Sequence, residues 1–211
     1  RYGYHGISVK AALSEIKKTT GNLPSKIILC HLGGGSSITA IKDGKSLDTS
    51  MGFTPLEGIM GSTRSGSLDL LLGLYLIKKL KIKNPEDYFN TKCGLLGISK
   101  ISGDLRDIVK SKNEDSALAI EIFTSQIKKQ IGAYYALLNG LDILIFTGGI
   151  GVGSVIVRSK ICKDLNSLGI ILDEKLNQEN KHKTINANSS KVKIFVIDSD
   201  EMGQMLEEMS N

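Results

Sequence analysis

The fold is decided by the stretch KIILCHLGGGSSITAIKDGKSLDTS, residues 26–50. Residues 26–31 are a short run of β-branched and apolar residues that ends at three successive glycines, which predicts a buried strand entering a tight turn. Residues 36–42 then alternate, and the Asp-Gly pair at positions 43–44 is a strong hairpin signal before residues 45–49. The stretch therefore predicts three consecutive antiparallel strands.

Further along the chain, the sequence predicts a long helix and two more strands. Residues 115–138 keep an apolar stripe at helical spacing, which indicates an amphipathic helix that Gly140 is placed to end. Residues 142–146 and 191–197 are apolar runs typical of buried strands, and a final helix opens at residues 200–201. The apolar face of the long helix suits either core packing or a subunit interface.

Between these elements lie two polar segments. Residues 52–66 are rich in Gly, Ser, Thr and Pro and show no periodicity, which predicts a long loop of the kind that often carries function. A helix is expected to follow over residues 68–80. Residues 177–190 are polar enough to predict a mobile loop.

The order of elements indicates the fold class. A three-stranded antiparallel meander, then two helix-linked strands, resembles a ribonuclease H-like half of the actin, sugar kinase and Hsp70 ATPase type. We therefore expect a single α/β domain over residues 1–211, with a mixed five-stranded sheet flanked by helices. In such folds ligands collect at the carboxyl ends of strands, and both Gly-rich turns of this chain follow strands.

Composition excludes several classes of function. The chain has 211 residues, 41% apolar and 23% charged, with no apolar run near 18 residues and no leader, so we expect a cytoplasmic protein without a membrane partner. The net charge of +5 comes from scattered lysines among few aromatics, which argues against nucleic acid and favours a small anionic ligand. Cys30, Cys93 and Cys162 lack CxxC spacing, which favours buried, reduced thiols over a disulfide framework or a zinc site.

Two Gly-rich turns are candidates for phosphate binding. HLGGGSS at 31–37 lets backbone amides approach phosphate oxygens, although it lacks the Lys of a Walker loop and also suits a plain hairpin turn. FTGGIGVGS at 146–154 is a strand-to-helix turn that suits a nucleotide. A single such turn is a weak signal, whereas two in one domain favour a nucleotide site.

Three single residues are further candidates, each with an ordinary structural alternative. Arg64 is surrounded by small residues, as a phosphate clamp requires, but a lone loop Arg is usually solvated. His5 is either catalytic or a satisfied structural histidine. Glu201 either favours a helix N-terminus or holds Mg²⁺ near phosphates.

Several motifs together resemble the acetate kinase family over essentially the whole chain. The most specific is DTSMGFTPLEG at 48–58, which is close to identical to a family signature and continues into GSTRSG at 61–66. The chain also carries RYGYHG at 1–6, HLGGGSS at 31–37, GLLGIS at 94–99, SGDLRDI at 102–108 and FTGGIG at 146–151.

The resemblance implies a role for each matched position. His5 would contact the transferring phosphoryl group, Arg64 would neutralise its charge, and Glu201 would hold Mg²⁺ or Mn²⁺. The nucleotide would occupy two further sets of residues. The β- and γ-phosphates would lie by His31, Gly33, Gly34 and Gly35, and the adenosine pocket would comprise Asp104, Leu105, Arg106, Gly149, Ile150 and Gly151.

The chain also departs from the family pattern. Val9 stands where a second His is usual, Gly34 where Asn is common, Ser67 where Asp is usual, and Val152-Gly153 replaces Glu-Asn. These changes bear on nucleotide affinity more than on fold. The larger departure is the N-terminal domain of the family, which supplies another phosphate loop and most of the carboxylate pocket and is absent from this chain.

The resemblance implies an enzyme that reversibly converts ATP and acetate to ADP and acetyl phosphate. This chain would be its C-terminal nucleotide-binding half, inactive in isolation and dimeric in the whole enzyme. Two alternatives stay open: a propionate or other short-chain carboxylate kinase, because one methylene is decided by a few pocket residues, and a degenerate domain that binds nucleotide or a partner without catalysis.

Overall fold

The computed structural model describes residues 1–181 and 183–209, and its centre is a five-stranded sheet. The order is β3-β2-β1-β4-β5, with β1, β2 and β3 antiparallel and with β4 parallel to both β1 and β5. This confirms the predicted antiparallel meander and the mixed five-stranded sheet. The strands are β1 (Lys26–Leu32), β2 (Ser36–Lys42), β3 (Lys45–Thr49), β4 (Ile143–Thr147) and β5 (Lys193–Val196).

Helices cover both faces of the sheet. The first of them, at the start of the chain, was missed by the sequence analysis because its buried positions are mostly small residues such as Ala11 and Ala12. The helices are α1 (Gly6–Thr20), α2 (Leu70–Lys79), α3 (Pro85–Thr91), α4 (Gly94–Ser99), α5 (Leu105–Lys110), α6 (Glu114–Leu138), α7 (Gly148–Gly153), α8 (Val155–Cys162), α9 (Glu174–Glu179) and α10 (Glu201–Met209), with a 3-10 turn at Asn166–Leu168.

The core consists of two layers that the sheet separates. Alternate residues of β1 point to opposite faces, so Ile28 packs with α6 and α8 in one layer, whereas Ile27 packs with α1 in the other. Cys30 and Cys162 are buried in the first layer, while Cys93 is only partly buried. None of the helices in the described part of the chain is long and apolar enough to cross a bilayer.

The long helix α6 uses its apolar stripe for the core. Ile120, Phe123, Ile127, Ile131, Tyr134 and Leu138 are all buried, so the idea that this face serves a subunit interface is wrong. The helix ends at Leu138 as predicted, and the two residues that follow it have positive φ, 54° at Asn139 and 111° at Gly140.

The two predicted loops are more ordered than their composition suggests. The segment 52–66 is held against the turn after β1, because the Ser62 amide donates to the Gly34 carbonyl at 2.9 Å. It is also joined to α4, because the Leu95 amide donates to the Gly61 carbonyl at 3.0 Å. The segment 177–190, predicted to be mobile, contains the end of α9 and an isolated bridge from Thr184 to β5. Its residue 182 lies outside the described residues.

Candidate functional site

Two histidines meet at the carboxyl end of β1. The rings of His5 and His31 stack with centroids 3.9 Å apart and planes 17° apart. His5 Nδ1 lies 2.9 Å from the Ser37 hydroxyl, while His31 Nδ1 lies 2.8 Å from the Ser8 hydroxyl. Each ring is therefore anchored through one nitrogen, and the other nitrogen of each ring has no hydrogen-bond partner among the described residues.

The glycine turn after β1 lies directly beside these rings and the Arg64 guanidinium. A methyl group built on Gly35 would lie 3.1 Å from Arg64 Nη1 and 3.9 Å from His5 Cε1, and one built on Gly33 would lie 3.8 Å from His31 Nε2. Within residues 1–181 and 183–209, Arg64 forms no ion pair. The structure thus brings a cation, two imidazoles and an unobstructed backbone together at one point.

Electrostatics keep both imidazoles neutral at neutral pH. Burial, the neighbouring His31 and, to a smaller extent, the Arg64 charge lower the pKa of His5 to about 4, although the Glu201 carboxylate acts in the opposite direction. Burial also lowers the pKa of His31. Without a ligand, the cluster therefore presents N–H donors and one guanidinium rather than three cations.

The second glycine turn follows β4 at the same edge of the sheet. Gly148 has φ 77°, and a side chain there would lie 2.6 Å from the Leu32 carbonyl oxygen, so only glycine permits this approach. Around Gly149, by contrast, a side chain would meet no atom within 4 Å. The predicted residues 149–151 lie in the short helix α7, and its outer side at Gly149 is open to a ligand.

A buried arginine fixes the shape of this second turn. The Arg158 guanidinium donates to the carbonyls of Gly151 at 2.8 Å and Val152 at 2.6 Å, and to the side-chain oxygens of Asn177 at 2.8 Å and Asn180 at 2.6 Å. None of these four acceptors is a carboxylate, so within residues 1–181 and 183–209 the buried guanidinium is hydrogen-bonded only to neutral dipoles. Burial lowers the pKa of Arg158.

The predicted residues 104–106 do not touch the histidine pair directly, and they are linked to it through the segment that contains Ser62. Asp104 caps the start of α5 by accepting from the Arg106 amide at 2.8 Å, and its carboxylate also pairs with the Arg106 guanidinium at 2.5 Å. This partner holds the pKa of Asp104 at about 2. Gly103 connects the segment to the site, because a side chain there would lie 3.0 Å from the Ser62 carbonyl oxygen.

Glu201 is the first residue of α10 and lies close enough to His5 to influence its proton affinity. No group of three or more histidine, cysteine or acidic side chains that suits a metal occurs among the described residues. Magnesium does not require such a cage, since it commonly uses one or two carboxylates together with phosphates and water. A single carboxylate near the His5 ring is therefore compatible with this ion.

The structure brings most of the predicted positions to one edge of the sheet. His5, His31, Arg64 and the glycines 33–35 form one cluster, and residues 149–151 lie on the neighbouring parallel strand. Sequence reasoning missed the side chains that support them, because Ser8, Ser199 and Arg158 belong to no recognisable motif, and because Thr147 stands in FTGGIG among glycines that drew the attention. The spacing of these residues along the sequence does not indicate that their side chains meet in the fold.

Fold and site together define an α/β domain of the actin and sugar kinase type. The family model described as the acetokinase family matches residues 1–206. The chain therefore belongs to the acetokinase family.

Individual relatives agree with this assignment. The chain is 44% identical over 209 residues to the acetate kinase of Dictyoglomus turgidum and 45% identical over 208 residues to acetate kinase 1 of Latilactobacillus sakei; each match covers 95% of this chain. It covers 52% and 53% of those relatives, so it spans about half their length.

Solved structures give the same result. A structure of Porphyromonas gingivalis acetate kinase superposes with TM-score 0.94 at 38% identity and covers 100% of this chain and 55% of that one. A structure of a propionate kinase from Francisella tularensis superposes with TM-score 0.91 at 37% identity and covers 99% of this chain and 55% of that one.

The low proton affinity of His5 has a measurable consequence. Its pKa is about 4, against about 6.5 for an ordinary histidine, so the unfolded chain binds the proton more tightly than the native state. The His5 contribution to stability is therefore intact above about pH 6.5 and is lost as the pH falls towards about 4. An NMR titration of the His5 ring should show this low midpoint.

Two variants test the cause. Arg64→Ala should raise the pKa of His5, because the Arg64 charge opposes protonation. Lys10→Ala is the control and should leave it unchanged, since the Lys10 ammonium pairs with Glu208 at 2.7 Å. A His5 midpoint near 6.5 in the parent chain would contradict the electrostatic description.

Proposed function

We propose that the protein to which this chain belongs is an acetate kinase, which converts ATP and acetate reversibly to ADP and acetyl phosphate. The observation that carries the proposal is the convergence of His5, His31 and Arg64 on the glycine turn after β1. Membership of the acetokinase family supports it. We further propose that the enzyme is cytoplasmic.

The chemistry asks little covalent work of the protein. A carboxylate oxygen of acetate attacks the γ-phosphorus of ATP, the bond from that phosphorus to the bridging oxygen of ADP breaks, and ADP leaves with the bonding electrons. Catalysis then depends on holding the groups in line and stabilising the charge on the transferring oxygens. In our proposal Arg64 and His5 contact these oxygens, and His31 with residues 33–35 contacts the β- and γ-phosphates.

The remaining predicted residues complete the nucleotide site in this proposal. Residues 104–106 and 149–151 form the adenosine pocket, and Glu201 holds Mg²⁺, or Mn²⁺ in its place. The ion would neutralise phosphate charge when bound. Glu201 suits this role because its carboxylate is the acidic group that raises the pKa of His5, so it lies near the edge of the sheet where the glycine turns meet.

We also propose that residues 1–211 are the C-terminal, nucleotide-binding domain of a longer enzyme. Support comes from the relatives, which are about twice as long as the matched region. An N-terminal domain would supply the facing wall and the carboxylate pocket. Without that wall the cluster is open to water, which weakens each electrostatic contact, so we expect this chain alone to show no appreciable turnover.

A second candidate is a propionate kinase, which the match to the Francisella tularensis structure favours. The two substrates differ by one methylene, which in a hydrophobic pocket changes kcat/KM by about 10–200-fold. Comparing kcat/KM for acetate and propionate in the two-domain enzyme separates the candidates.

A third candidate is a nucleotide-binding domain without catalysis. Such a domain would bind MgATP but transfer no phosphate to either acid.

Nucleotide binding can be tested with this chain alone. MgATP at about 100 times its Kd should stabilise the fold by about 2.7 kcal/mol, which a thermal melt detects. Gly149→Leu should abolish this shift, because its side chain would project into the open space where the adenosine is expected. Gly132→Leu is the control in α6, where a side chain also meets nothing within 4 Å. No shift with millimolar MgATP in the parent chain would refute nucleotide binding.

Arg64 can be tested in the two-domain enzyme. Arg64→Ala should lower kcat by about three to five powers of ten, as for other arginines that act on the transition state of phosphoryl transfer. Arg64→Lys should not restore it, because an ammonium lacks the planar fork that spans two oxygens. Lys45→Ala is the control, because it removes an exposed cation and should leave kcat unchanged. Turnover within about tenfold of the parent for Arg64→Ala would overturn its role.

We propose finally that the protein is a homodimer and that α2 supplies the interface. This helix buries only Gly73 among its own residues, and Leu71 and Leu74 are 73% and 55% exposed. Such an apolar helix surface normally lies against a partner. Sedimentation velocity should show a dimer that Leu71→Glu dissociates, whereas Leu118→Glu, at a 47% exposed position of α6, should leave it intact. A monomeric parent protein would contradict this.

A further inference from the structure

A chain of hydroxyl groups runs behind the histidine pair. Thr147 Oγ1 donates to Ser199 Oγ at 3.1 Å, Ser199 Oγ lies 2.9 Å from Ser8 Oγ, and Ser8 Oγ lies 2.8 Å from His31 Nδ1. Ser8 and Thr147 are buried, with 1% and 0% of their surface exposed. This series of hydroxyl groups connects β4, the segment after β5, α1 and the end of β1.

Strand register creates this arrangement. His31 and Thr147 are direct neighbours in the parallel pairing of β1 with β4. Both follow the period of residues that face α1, where Ile27, Ile143 and Ala12 share a core layer. Ser8 projects from α1 into the same layer. Ser199 then closes the gap between Ser8 and Thr147.

A count of the hydrogens favours one direction for this row of hydroxyl groups, because only that direction satisfies all three hydrogens within the protein. Each hydroxyl has one hydrogen, and Thr147 donates its own to Ser199. If Ser199 donates to Ser8, the Ser8 hydrogen is directed at His31 Nδ1, and all three hydrogens are used. In the reverse direction, Ser199 would accept twice, and its own hydrogen would have no partner among the described residues.

A neutral imidazole that accepts at Nδ1 carries its hydrogen on Nε2. His31 Nε2 faces the glycine turn, 3.8 Å from the position of a methyl group on Gly33. The ring would therefore present an N–H donor towards the turn. The lowered proton affinity of a buried ring is consistent with the neutral form.

We propose that Ser8, Ser199 and Thr147 are positioning residues that hold His31 as the Nε2–H tautomer, so that it donates a hydrogen bond to a phosphate oxygen of the nucleotide at the glycine turn. The phosphate part rests on the proposed function, whereas the tautomer does not. Ser199 also accepts, through its carbonyl, from the Glu201 amide at 3.0 Å. The same residue thereby holds the first turn of α10.

The tautomer is measured by ¹⁵N NMR on the chain labelled at its three histidines, at about pH 8, above the ordinary histidine pKa of about 6.5. His31→Gln assigns the signal. The expected result is a proton on Nε2 and a hydrogen-bonded, unprotonated Nδ1. A proton on Nδ1 of His31 overturns the proposal.

Variants separate positioning from packing. Ser8→Ala should shift the Nδ1 resonance to that of a nitrogen without a donor, and Thr147→Val should shift it partly, while Thr147→Ser keeps the hydroxyl and should restore the parent signal. Ser116→Ala is the control, because it removes a buried hydroxyl of α6 that has no hydrogen-bond partner among the described residues. If Ser8→Ala leaves the His31 signals unchanged in a folded chain, the proposal fails.

The phosphate part is tested in the two-domain enzyme. Ser8→Ala and Thr147→Val should each lower kcat/KM for ATP by about tenfold, the effect of a weakened hydrogen bond to a charged group, whereas Thr147→Ser should stay within about twofold. A changed tautomer with unchanged kcat/KM would overturn the phosphate role. Absence of turnover in the parent enzyme would refute the proposed function and leave the tautomer result standing.

Discussion

The arrangement of the site depends on the close parallel pairing of β1 with β4. Gly148 begins α7 directly at the end of β4, where any side chain would lie 2.6 Å from the Leu32 carbonyl oxygen, closer than real Cβ contacts allow. Because α7 starts there, both glycine turns lie at one edge of the sheet. The same pairing places His31 beside Thr147, so the support of the histidine follows from the geometry of the strands.

This edge of the sheet combines several hydrogen-bond donors with few formal charges. Two stacked imidazoles could not both be protonated at a centroid distance of 3.9 Å without strong repulsion, and burial already disfavours their charged forms. The positive charge in the cluster is therefore concentrated on the Arg64 guanidinium, while the rings and the backbone offer directed donors. Such a division suits recognition of phosphate by geometry as well as by charge.

The sequence predicted those parts of the molecule that depend on local pattern. The Asp-Gly turn and the β-branched runs gave the meander, and the family motifs gave candidate positions that the fold collects at one edge. It could not predict contacts such as Ser8 with Ser199, which are 191 residues apart and involve a common side chain. Helix α1 was missed for a related reason, since its alanines bury little area and give a weak periodic signal. The roles of His5, Arg64 and Glu201 stay predictions until they are measured.

The buried guanidinium of Arg158 affects more than the shape of the turn it supports. In the part of the chain that the structure describes, its hydrogen-bond partners are neutral amide and carbonyl dipoles and not carboxylates. Mobile ions screen exposed charges over about 8 Å at physiological ionic strength, but they cannot surround a charge that is sealed inside the protein. The hydrogen bonds of Arg158 to the turn are therefore not open to competition from dissolved ions, and we expect the turn to keep its shape over a wide range of salt concentration.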